Sequence, residues 1–226
     1  MFFHPMDFLI IIALGLAMWA QSKVQGNFRQ WASVQAASRM TGAQAARYIL
    51  DQEGLSQVKV EFSKNGTLSD HYDPSAKTVR LSDQVYQGTS ISSLAVAAHE
   101  VGHAIQDSTN YSMLVLRHRL FPLANIGSQF APFLFLGGFL LGLTNLIGIG
   151  IALFAGAVLF QVATLPVEID ASRRAKNKLL EFGMINNNEE KGIGKVLNAA
   201  ALTYVASTLM AVLQLIKFIM IFRNRR

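Results

Sequence analysis

The sequence predicts a mainly α-helical integral-membrane protein with about four transmembrane segments and a small α+β portion at the membrane surface. Three observations predict it. Of 226 residues 51% are hydrophobic and only 15% charged, against roughly 25% charged in an ordinary soluble domain. Residues 121–166 form a run of 46 positions without a Lys, Arg, Asp, Glu or His. Two further apolar stretches, one near each end of the chain, are followed by basic residues. A water-facing surface does not cover that much apolar chain, and a bilayer does. The net charge of +6 is scattered through the polar stretches and forms no dense tract, so a membrane is expected and no nucleic-acid partner is. The chain has no cysteine, which excludes disulfides, thiolate metal sites and cysteine nucleophiles.

Taken in order, Phe8–Ala20 is the first apolar run, and Phe2, Phe3 and Met6 extend it. Alone it has 13 residues, short of the roughly 20 a span needs. His4 and Asp7 precede it and Lys23 and Arg29 follow it, the reverse of a cleaved signal. Residues 1–21 therefore read as an uncleaved anchor with its amino end outside. Residues 22–120 begin with helix formers at Gln30–Gln52, where Thr41 and Gln44 have the spacing of a capping box and Gly54 supplies the stop. Val58–Phe62 and Thr78–Ser82 alternate like half-buried strands on either side of the turn-rich Asp70–Pro74. A helix followed by a hairpin or pair of strands is expected, then a helix over Ser90–Gln106.

At 1.5 Å per residue, residues 121–166 hold two spans joined by a tight turn near Thr144 and Asn145. Such a hairpin returns the chain to the side it left, so the polar residues 167–198 share a side with 22–120. Residues 199–226 complete the membrane part with an apolar run to Phe222, interrupted by Lys217, whose stem can snorkel, and a tail of Arg223, Arg225 and Arg226. Ten Lys or Arg in 22–120 and six in 166–199 favour a cytoplasmic side for these portions in a multi-pass cell-membrane protein; the terminal arginines oppose it.

One pattern carries chemistry. His99-Glu100-Val101-Gly102-His103 is H-E-x-x-H on an expected helix. Residues four apart share a helix face, so both imidazoles reach one ion, and Zn2+ with His ligands keeps a position for water. Glu100 is placed to take a proton from that water as general base. The flanking Leu94–Ala98 and Ala104-Ile105 make the helix a buried one, where two unpartnered imidazoles and a carboxylate would be expensive. A third ligand must come from elsewhere. Glu168 and Asp170 follow the charge-free hairpin directly, and either carboxylate can reach the metal or pair with Arg173 and Arg174 at a helix start. His71 and Tyr72 are candidates to donate to an oxyanion, and Thr78–Ser82 to pair with an extended substrate.

The segments Ser69–Pro74, Ala97–Gln106, Leu165–Ser172 and Leu197–Ala206 resemble those of the YugP-like bacterial membrane zinc metallopeptidases, over nearly the whole chain. More distantly, Glu168–Ser172 is similar to the Glu-Phe-x-Ala-Asp stretch of HtpX and CAAX-prenyl-protease gluzincins. There the Glu is the third zinc ligand, which implies Glu168 rather than Asp170. Ser172 stands where those relatives carry Asp, and no later His-Pro pair follows, so specificity for prenylated peptides is not carried over. The expected function is a zinc-dependent metalloendopeptidase acting on protein or peptide substrates at the bilayer, in membrane-protein quality control. The alternatives are a zinc-stabilised scaffold without catalysis and an intramembrane site-2-type protease. The last lacks its Leu-Asp-Gly sequence here, and Ser90–Ile105 is too short to span.

Overall fold

A run without charge can satisfy its backbone in lipid only by hydrogen bonding to itself, so helices dominate. The computed structural model describes residues 5–64, 66 and 69–224; Phe2, Phe3, His4, Arg225 and Arg226 lie outside them. The elements run α1 (Pro5–Ala32), α2 (Gly42–Gln52), β1 (Lys59–Phe62), β2 (His71–Asp73), β3 (Thr78–Leu81), α3 (Asp83–Tyr86), α4 (Ile91–Ser108), α5 (Ser112–Leu140), α6 (Thr144–Glu181) and α7 (Asn187–Arg223). They divide into two compact units: Met1–Ala20, Ser112–Pro166 and Thr203–Arg226 in one, Gln21–Tyr111 and Val167–Leu202 in the other.

Four helices are long and apolar enough to cross a membrane: α1 from Met6, α5, α6 and α7. The protein is thus a mainly α-helical membrane protein with a small α+β portion. In the first unit, small residues let helices approach. A Cβ on Gly127 would lie 2.3 Å from the carbonyl oxygen of Leu153, so α5 and α6 touch backbone to backbone there. Gly142, at φ +67°, makes the turn between them. Phe135 stacks on Phe218 of α7 with ring centroids 4.1 Å apart. Lys217 does not reach out along its stem as expected. Its ammonium pairs with Asp7 of α1, because a carboxylate inside the unit neutralises it better than a distant headgroup layer.

The second unit has a core of Ile49, Leu50, Val79, Leu81, Leu94 and Val101, with Leu179 and Ile193. Gln30–Gln52 is not one helix. The chain leaves α1 at Ala32, turns through Arg39 at φ +54° and restarts at Gly42, behind the Thr41–Gln44 capping box. Gly54, at φ +72°, follows its end. The sheet has three strands in the order β1-β3-β2, with β1 parallel and β2 antiparallel to β3. Two corrections follow. The segment read as a turn contains β2, and Thr78–Leu81 is the central strand. Both its edges are already paired, so it has none to offer a substrate.

Candidate metal centre

Helix α4 opens on Ser90, whose hydroxyl accepts from the Ser93 amide at 3.1 Å, and it is buried along most of its length. Alanines on either side of the motif keep that burial compact. His99 and His103, one turn apart, set their rings edge to face with centroids 4.8 Å apart. Glu168 comes from α6, with Oε2 at 3.2 Å from His99 Nε2 and 3.6 Å from His103 Nε2. One donor atom from each of the three lies within 4.8 Å of the others, and Glu168 is 3% exposed. Two half-buried imidazoles and a buried carboxylate, converging on one point, fit a catalytic zinc site.

The closeness of α4 and α6 has a local cause. A Cβ on Gly102 would lie 2.6 Å from the Ala171 carbonyl oxygen and 3.1 Å from its Cα. The motif's variable position is therefore glycine where α6 presses its backbone against α4, one residue before His103.

Around this group sits a polar shell. Ser172 Oγ lies 3.2 Å from His99 Nδ1. His103 Nδ1 lies 3.0 Å from Gln106 Oε1. Asp170 is turned to Gln106, Arg173 and Arg174. Burial works against a charge on His103, but its bond to Glu168 and the charges of Glu100 and Glu168 hold its pKa above the ordinary imidazole value.

Glu100 is buried in the same helix. Asp70, which accepts from the Ser82 amide at 2.7 Å and from its hydroxyl, has its pKa raised by burial, with the charge of Glu100 adding to the rise. The oxyanion candidates part company. The Tyr72 hydroxyl donates to Asp107 Oδ2 at 2.6 Å, at the carboxyl end of α4, where Lys77 also donates at 2.6 Å. Side chains alternate along a strand, so His71 lies on the opposite face of β2, across from Arg80, with Nδ1 2.8 Å from the Ser69 carbonyl oxygen. Sequence reasoning does not single out Gln106 or Gly102, which stand beside this group. Gln106 had a signal, since it stands three places after His103 on the same helix face.

Residues 6–223 match the sequence model of a family described as "putative neutral zinc metallopeptidase". The chain belongs to this family. It is also 57% identical over 219 residues to a protein of Bacillus subtilis (strain 168) named "Putative membrane protease YugP", covering 97% of each chain. No solved structure matches. For a zinc metallopeptidase of this family, the His99, His103 and Glu168 group is a place on the described chain able to hold the metal.

Proposed function

We propose that the chain is a zinc-dependent membrane metalloendopeptidase in which His99, His103 and Glu168 hold the metal and Glu100 is the general base. The observation that supports this best is the convergence of a buried Glu from α6 on the two His of an H-E-x-x-H helix. Zinc, when bound, supplies a Lewis acid for a peptide carbonyl and lowers the pKa of a water. The protein does the rest. Glu100 accepts a proton from the attacking water at its carboxylate and passes it to the leaving amine. Its burial keeps that proton from bulk water. His99 and His103 present Nε2 toward Glu168, and their Nδ1 atoms are held by Ser172 and Gln106. Asp170 is given no ligand role, because its oxygens serve Gln106 and two arginines.

In this reading the peptidase portion is the unit of Gln21–Tyr111 and Val167–Leu202, its side is cytoplasmic by the excess of Lys and Arg, and its substrates are unfolded segments of membrane proteins. The test is proteolysis of an unfolded model protein by the purified chain. Cleavage that a chelator abolishes and zinc restores is the expected result. A chain that holds zinc and cleaves nothing would instead be the non-catalytic scaffold.

A further inference from the structure

We propose that Gln106 is a positioning residue that fixes the ring of His103 for metal ligation, and that Asp170 anchors it. This rests on the metal-centre reading above and concerns how the site is oriented. Gln106 is fully buried, where a polar amide needs its partners. Its Nε2 donates to the Val167 carbonyl oxygen at 2.8 Å and to Asp170 Oδ2 at 3.0 Å. A backbone carbonyl and an ionised carboxylate only accept. Both amide hydrogens are therefore spoken for, and the amide has one orientation. Its Oε1 then faces His103 Nδ1 at 3.0 Å, and this oxygen can only accept.

The consequence is a defined tautomer. Nδ1 of His103 keeps its hydrogen, so Nε2, 3.6 Å from Glu168, is the nitrogen that can give up its proton and offer a lone pair to a cation. Asp170 is in turn gripped by Arg173 and by Arg174, the latter at 2.5 Å. A chain of contacts thus runs from two surface-side arginines through Asp170 and Gln106 to a ring on another helix. The link next to His103 is a neutral amide, so orientation is imposed without a third carboxylate beside Glu100 and Glu168. Ser172 gives His99 an equally neutral partner.

Full-length protein in detergent tests this by chelator competition for zinc, by the ligand-field absorption of the cobalt(II)-loaded site, and by melting of the metal-free protein. Gln106→Met keeps the volume and removes the acceptor. It is expected to bind zinc about 10–100-fold more weakly, with shifted cobalt bands and metal-free melting like wild type. Asp170→Leu should fall the same way. Asp170→Asn still offers an amide oxygen to Gln106 and should stay within about threefold of wild type. Gln106→Met/Asp170→Leu should be no weaker than Gln106→Met alone, within about twofold, since the two act through one path. Wild-type affinity and cobalt bands in Gln106→Met overturn the proposal, provided His103→Ala and Glu168→Ala lose the metal. If those two keep it, the metal-centre reading itself is wrong. Should Gln106→Met not fold, the Asp170 pair decides: equal losses in Asn and Leu contradict the anchor.

Discussion

His103 shows how one residue's surroundings set its chemistry. Burial alone would keep the ring neutral, yet the Glu168 bond and the charges of Glu100 and Glu168 raise its pKa above the usual 6.5. Without metal, the imidazolium stabilises the fold. That contribution is complete below the unfolded pKa of about 6.5 and is lost as pH rises through the higher folded value. In the proposed site zinc would need the lone pair and would displace the same proton. Zinc affinity should therefore fall as pH drops through the raised pKa, and the metal-free protein should melt higher on the acid side of that window. Chelator competition and melting curves across pH 6 to 8.5 check both. A zinc affinity flat over that range would show that His103 is not the group that titrates. At this scale the motif was legible, because residues i and i+4 of a helix share a face whatever surrounds them. Gln106 stands on the motif's face of the helix, but what its amide does shows only in the positions of Val167 and Asp170.

Between elements, the contact that matters most is that of α4 with α6. Gly→Ala in a helix ordinarily gains about 1 kcal/mol. At Gly102 the added methyl would meet backbone of Ala171, at 2.6 Å from its oxygen, and backbone cannot swing aside as a side chain can. Overpacking of this kind costs about 1–3 kcal/mol, so the loss exceeds the gain. Gly102→Ala should lower stability in a denaturant titration and weaken zinc binding about tenfold or more, by moving Glu168 away from both imidazoles. Unchanged zinc affinity would mean that the helix contact does not set the ligand distance. Other elements divide by the strength of their local signals. The Thr41–Gln44 box announced the start of α2 correctly. The three-residue β2 was hidden, because His71-Tyr72-Asp73 has no apolar alternation and is paired only through β3. The polar second half of α1 continues as helix because Phe28 and Trp31 pack on the core of the second unit, which no window of hydropathy reveals.

At the scale of the whole molecule, four apolar helices define the membrane part, and among its described residues Lys217 pairs with Asp7. The windows read from composition were shorter than the helices, since charge stops a hydropathy window and does not stop a helix. Lys217 looked like a snorkelling residue from its place in the chain. Its partner lies 210 positions away at Asp7, beyond the reach of any local pattern. Lys217→Met removes the cation and keeps the carboxylate, and it should destabilise the detergent-solubilised protein by about 3 kcal/mol. Asp7→Asn/Lys217→Met should recover most of that loss in the same melting assay. A double variant as unstable as the single one would show that the pair is incidental.

In the proposed mechanism the buried carboxylate of Glu100, beside the first histidine, performs chemistry that the metal ligands alone do not. Glu100→Gln, with zinc content and cleavage of an unfolded protein measured on one preparation, addresses it directly. The expected result is full zinc occupancy with cleavage reduced by about 10²-fold or more. Full zinc occupancy with wild-type cleavage would contradict it.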